Sequence, residues 1–166
     1  MQSARVSIQA EDFDAGAEIA ALHGLDGGVG AIAAFVGTVR DRSAGSDVVS
    51  MELEHYPGMT ERAIEAMIDA ATDRFEIRGV RIVHRIGKLE ARAQIVLVAV
   101  SSAHRGQAFQ ACEFLMDYLK TQAPFWKKEQ GPGGDPRWVD ARVDDDEALR
   151  RWGLASANAV VPLPGR

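Results

Sequence analysis

The sequence predicts an α+β fold built on a mixed sheet. Short segments such as Val49–Tyr56 and Val80–Ile86 alternate apolar and polar residues with the period of a strand. Two longer segments, Thr60–Phe75 and the stretch after Ser101, repeat apolar residues at helical spacing. Strands and helices intermix along the chain, joined by both hairpin and crossover links, and that mixture is the α+β signature.

In chain order, Arg5–Gln9 alternates with Val6 and Ile8 on one face, a short strand. Asp14–Leu22 reads as a helix capped by Asp12 or Asp14 and ended near Gly24. After the GLDGGVG turn, Val29–Arg40 is a strand of small and apolar residues. Arg40–Asp47 is polar and glycine-bearing and reads as a mobile loop. Val49, Met51, Leu53 and His55 then alternate with Ser50, Glu52, Glu54 and Tyr56, a half-buried strand. Pro57-Gly58 breaks it, and Thr60 is a good N-cap with Glu61 in the first turn. Ile64, Met67, Ile68, Ala71 and Phe75 share one face of the helix that follows.

Val80, Ile82, His84 and Ile86 form the next alternating strand, which stops at Gly87. Gln94–Ser101 is a nearly continuous apolar run, the pattern of a central strand. The following helix puts Ala108, Cys112, Leu115 and Leu119 on one stripe and ends at Pro124, because a residue preceding proline is pushed out of the helical region. Phe125–Glu129 and Arg137–Arg142 read as two strands joined by the GPGGDP turn. The organisation expected is a single domain over residues 1–143, then a short helix through Trp152 and a flexible tail over the rest of 144–166.

A chain of 166 residues fits one compact domain with a real core. Its net charge of -5 argues against broad nucleic-acid binding. No segment reaches the roughly 20 apolar residues that span a bilayer, and Met1–Phe13 lacks a signal-peptide apolar run. The lone Cys112 forms no intrachain disulfide and suits a reducing compartment, so a cytoplasmic location is expected.

The most informative stretch is Ser101–Lys128. His104 and Arg105 follow a buried strand and open a helix, where free backbone N–H groups point outward. Cations in a first turn oppose the helix dipole unless an anion stands before them. The pair therefore suits phosphate or carboxylate, although His104 satisfied by a carbonyl and Arg105 paired with a surface acid is the plainer alternative. Lys120 lies about 100° from the centre of the apolar stripe, on the flank of the core. Lys127 follows Phe125 and Trp126, and a lysine made partly neutral there could act as acid, base or nucleophile. A lysine beside aromatics more often simply snorkels.

Arg40 ends a strand and leads a loop, from which it could reach a ligand. Strand alternation sends His55 to the face opposite Glu52 and Glu54, and His23, His84 and Cys112 lack ligand spacing, so no metal site is expected. His84 reads as a satisfied core residue. Gly27–Gly30 precedes a strand and is no dinucleotide fingerprint.

Taken together, FVGTVR (Phe35–Arg40), LEHYPGM (Leu53–Met59), VHRIG (Val83–Gly87), SSAHR (Ser101–Arg105), MDYLKTQAPFWKKE (Met116–Glu129) and RWVDAR (Arg137–Arg142) resemble, in order, the catalytic (large) subunit family of molybdopterin synthase. The resemblance implies an α/β-hammerhead-like mixed sheet with an additional small antiparallel sheet. It implies a sulfurtransferase that converts cyclic pyranopterin monophosphate into molybdopterin by installing the dithiolene. The sulfur donor would be a ubiquitin-like small subunit whose C-terminal Gly-Gly ends in a thiocarboxylate, and two large subunits would form the centre of a heterotetramer. By the same resemblance Lys120 and Lys127 are the catalytic lysines, and Arg40, His104 and Arg105 bind anions. Thr38, Val39, Lys128 and Glu129 line the substrate pocket. No cofactor or metal is implied. The competing reading is a non-enzymatic module in which the same cations capture the acidic C-terminal tail of a partner protein.

Overall fold

The computed structural model describes residues 4–43, 45–139 and 143–154. Its elements are β1 (Val6–Gln9), α1 (Ala15–His23), β2 (Ala31–Thr38), β3 (Arg42–Ser43), β4 (Ser46–Asp47), β5 (Ser50–His55), α2 (Met59–Arg74), β6 (Gly79–Arg85), β7 (Gly87–Glu90), β8 (Gln94–Ser102), α3 (Arg105–Gln122), β9 (Phe125–Gln130), β10 (Pro136–Val139) and α4 (Val143–Arg150).

The first sheet has the order β1-β6-β8-β2. Its β1–β6 pair is parallel and its other pairs antiparallel, which makes it the mixed sheet expected. Helices α2 and α3 cover one face, where Ile64, Met67, Ile68, Phe114 and Leu115 pack on Ile82, Val98 and Val100. Helix α1 and the segment before it cover the other, with Leu22 and Phe13 buried against Val83, Leu97 and Ala99. Because β8 is buried on both faces, its sequence is apolar at consecutive positions and not at alternate ones.

The second sheet is antiparallel, in the order β10-β9-β5-β7. It closes over a smaller cluster of Val39, Val48, Met51, Leu53 and Leu89. The sequence reading ended a strand at Gly87. In the structure Gly87 adopts φ +81 and turns the chain out of the first sheet to begin β7 in the second. Left-handed φ at that hand-over needs a residue without Cβ.

Other departures are local. The Arg40–Asp47 segment holds a short ladder, with Arg42 opposite Asp47 and Ser43 opposite Ser46. Gly58, not Thr60, caps α2, and its N–H donates to the Glu61 carboxylate at 2.6 Å. The Thr60 hydroxyl instead accepts from the Tyr56 N–H and donates to the Pro124 carbonyl, tying the start of α2 to the end of α3. Val49 precedes β5 and is exposed. Asp14, one of the two residues considered, caps α1 by accepting from the Ala17 N–H.

Beyond β10, Leu149 of α4 is fully buried, and the Trp152 ring meets Phe75 and Phe114 edge-on while its N–H donates to Asp117. Residues 140–142, where the expected last strand continues, lie outside the described residues, as do 155–166 of the expected tail.

Candidate active site

The Thr38–Arg40 segment is shaped by a glycine. The β2–β8 register shifts between Gly37 and Thr38, and a Cβ on Gly37 would stand 2.9 Å from a Val96 methyl. Such a bulge re-aims the residues that follow it. Val39 is then locked by two backbone hydrogen bonds, accepting from the Arg92 N–H at 2.7 Å and donating to the Ala93 carbonyl at 2.9 Å. Its side chain is 1% exposed, in the cluster beneath the second sheet. With Val39 turned inward, Thr38 and Arg40 face solvent.

Strand β9 carries the next group. Directly opposed residues of an antiparallel pair share a face, so Phe125, Lys127 and Glu129 lie with His55, Leu53 and Met51 of β5. Leu53 packs with Val39 in one cluster, and this brings the half-buried Lys127 beside the Thr38–Arg40 segment. Glu129, 4% exposed, accepts from the Arg137 guanidinium at 3.4 Å.

Lys128 goes the other way. Its ammonium stands 4.6 Å from the centre of the Trp138 ring, a cation–π contact on the opposite face of the sheet. Thus the two-residue strand period separates two adjacent lysines that the sequence reading grouped together.

Lys120 is exposed in the last turn of α3, where a cation complements the helix dipole. The direction of α3 fixes which end of the sheet this is. Helix α3 leaves β8 at Ser102 and packs back along β8 and β2. Phe125, three residues after α3 ends, stacks on His84, whose register partner is Val96 near the start of β8. Thr38 pairs with Gln94 at that same end. Thr38, Val39, Arg40, Lys120, Lys127 and Glu129 therefore gather at one end of the molecule.

His104 and Arg105 do not join them. His104 is the N-cap of α3 and Arg105 its first residue, both exposed, beside the Ala31–Ser102 end of the β2–β8 pair. Fifteen residues separate Arg105 from Lys120 along one helix, a rise of about 22 Å at 1.5 Å per residue. Two side chains cannot bridge that separation. The sequence had suggested that all these cations line a single recess, and within one chain a straight helix prevents it.

Two features of the site escaped the sequence reading. Arg92 occupies a left-handed conformation, φ 72, in the turn that grips Val39, and its guanidinium stands 3.6 Å from Asp41. Nothing in Glu90–Gln94 announces a position that favours glycine. The second feature is the His84–Phe125 stack, whose partners are 41 residues apart in sequence. Among the described residues no group of three or more His, Cys, Asp or Glu side chains is placed to hold a metal ion.

A family model described as "MoaE protein" matches residues 8–122. The chain is 58% identical over 154 residues to the molybdopterin synthase catalytic subunit of Ralstonia nicotianae, covering 93% of this chain and 87% of that protein. It is 45% identical over 152 residues to the protein of that name from Escherichia coli, covering 92% and 100%. Among solved structures, molybdopterin cofactor biosynthesis protein E from Burkholderia multivorans superposes with a TM-score of 0.78 at 55% identity, over 93% of this chain and 100% of that one. Molybdopterin synthase from Staphylococcus aureus does so at 0.76 and 30% identity, over 83% and 98%. With the fold, the motifs and the relatives in agreement along nearly its whole length, this chain belongs to the MoaE family of molybdopterin synthase catalytic subunits.

Proposed function

We propose that this chain transfers sulfur from the thiocarboxylated C-terminus of a ubiquitin-like small subunit to cyclic pyranopterin monophosphate, forming the molybdopterin dithiolene. The observation that supports the reading is that Arg40 follows Val39 and Lys127 opposes Leu53, two residues of one buried cluster, at the end of the fold where α3 brings Lys120. The substrate carries a cyclic phosphate and the donor is itself an anion. Holding the two together is costly at low dielectric unless cations neutralise them. Arg40 suits the phosphate, since a guanidinium presents paired donors to its oxygens. Lys127 and Lys120 polarise the substrate and move protons as sulfur adds and the phosphate ring opens. Each transfer converts one thiocarboxylate into a carboxylate, so two donor molecules serve each product.

His104 and Arg105 fit this scheme through a second copy of the chain. A two-fold axis lets each copy present the start of its α3 to the lysines of the other, which gives the N-terminal pair an anion to face. The cell compartment that suits this chain is the cytoplasm, because a single cysteine makes no intrachain disulfide.

Purified protein, thiocarboxylated small subunit and the pterin precursor should together yield dithiolene, whereas a module that only binds a carboxylate tail yields none. Lys120→Ala and Lys127→Ala should each lower turnover by about 10²- to 10⁴-fold while still binding the small subunit. Folded variants that keep full turnover refute the lysine assignment. Mixing Lys127→Ala with a His104→Ala/Arg105→Ala double variant tests the shared site. Random reassortment into two-fold pairs should restore about a quarter of wild-type activity, and no recovery refutes a site shared between two copies.

A further inference from the structure

The imidazole of His84 lies face to face with the Phe125 ring, centroids 3.8 Å apart and planes 14° apart. His84 is buried near the end of β6, in the first sheet, and Phe125 opens β9, in the second. Its Nδ1 is 2.8 Å from the Arg85 carbonyl oxygen. A carbonyl only accepts, so Nδ1 carries the proton and the ring is held in one tautomer. That carbonyl lies just before the Ile86-Gly87 step by which the chain leaves the first sheet for the second. One side chain thus grips the backbone where the two sheets part and the aromatic ring where β9 returns.

Lys127 is two residues beyond Phe125 on the same face of β9. The connection from α3 into β9 is short, Ala123-Pro124, with the Pro124 carbonyl accepting from Thr60, and Phe125 is the first side chain of the strand itself. Resting on the function proposed above, we infer that His84 is a positioning residue for Lys127, acting through the face of Phe125 to hold the amine over Val39 and Leu53. Burial keeps the imidazole neutral, with its pKa lowered to about 4. The stack is therefore uncharged throughout the working range of a cytoplasmic enzyme. The histidine that neighbours it, His55, is register partner to Phe125 and points its Nε2 toward Glu61 at 3.7 Å.

Two substitutions separate the contacts. His84→Asn can keep a donor to the Arg85 carbonyl but removes the ring, and His84→Phe keeps a ring for Phe125 but removes the donor. In the complex with thiocarboxylated small subunit, His84→Asn should lower kcat by about 10- to 100-fold with KM nearly unchanged, the effect of a displaced catalytic group. His84→Phe should recover kcat to within about threefold of wild type. Phe125→Leu, altering the other ring, should reproduce the loss. Reductive ¹³C-methylation supplies a readout independent of turnover: the Lys127 methyl resonance should shift in His84→Asn and return in His84→Phe. Wild-type-like kcat and Lys127 resonance in both His84→Asn and Phe125→Leu overturn the inference, as does a His84→Phe enzyme as slow as His84→Asn. If His84→Asn fails to fold, Phe125→Leu against His84→Phe decides alone. Absence of turnover in wild-type protein sinks the proposed function instead, and the resonance comparison still reports where Lys127 is held.

Discussion

Acid should destabilise this protein in two separable stages, and the first belongs to His84. Its pKa is lowered from 6.5 to about 4 by burial, with the neighbouring His55 adding in the same direction and the Arg85 carbonyl opposing. Between those two values the unfolded chain binds a proton that the folded chain refuses, so stability falls as pH falls. Each unit of difference is worth about 1.4 kcal/mol. The neutral ring thus contributes about 3 kcal/mol above pH 6.5 that is gone near pH 4, and about 2 kcal/mol has gone by pH 5. The carboxylates act later. Asp12, held low by the Gln94 side chain, and Asp26, held low by the Gly28 N–H, lose their contributions only as pH falls below 3.8. Denaturant titrations from neutral pH to about pH 4.5, on wild type and on His84→Phe, measure the difference directly. Wild type should lose about 2 kcal/mol relative to the variant by pH 5. Parallel curves over that window would refute the claim that a buried neutral imidazole joins the sheets.

Three further outcomes follow from local geometry. Gly30→Ala should destabilise by about 1–3 kcal/mol, toward the upper end, because its Cβ would stand 2.2 Å from the Ala103 carbonyl oxygen while the Gly30 N–H is committed to Ser102; thermal melting measures the loss, and an unchanged melting temperature contradicts it. Arg92→Gly should stabilise by about 1 kcal/mol by relieving a left-handed arginine, since the Asp41 contact it gives up is highly exposed; a lower denaturation midpoint would show that the contact matters more than the backbone. Trp152→Ala should cost about 3 kcal/mol and release α4, because the ring fills the angle between Phe75 and Phe114 and ties to Asp117; faster proteolysis near Arg150 and Arg151 reads out the release.

Elements whose burial is one-sided or complete were legible in the sequence. The α2 stripe of Ile64, Met67, Ile68 and Ala71 and the apolar run of β8 announce their partners by period alone. Strand β7 was hidden because only Leu89 of its four residues is buried, so no alternation registers. The site was half legible. Residue types and motifs singled out Arg40, Lys120 and Lys127, which the fold brings to one end. Periodicity within β9 could have separated Lys127 from Lys128. The length of α3 could have separated Arg105 from Lys120, since both limits follow from strand and helix geometry alone. The His84–Phe125 stack was out of reach, because only tertiary structure sets a β6 residue against a β9 residue.

The location of the site has a physical logic. The first sheet with α1, α2 and α3 already encloses two cores, and the second sheet adds a small cluster of five buried residues. Among the described residues, the contacts that reach from the first layer toward the second include a stacked ring pair, two backbone hydrogen bonds at Val39, and Ile95 of β8 packed on the second cluster. A close-packed core tolerates little adjustment, because any shift in volume is felt by every neighbour. A seam held by directional contacts lets a side chain be placed without repacking either layer. Lys127 lies opposite the buried Leu53, and Arg40 follows the buried Val39 of the same cluster. If the proposed chemistry occurs there, substitutions deep in either core should lower stability while leaving kcat intact, whereas His84→Asn and Phe125→Leu at the ring pair should lower kcat.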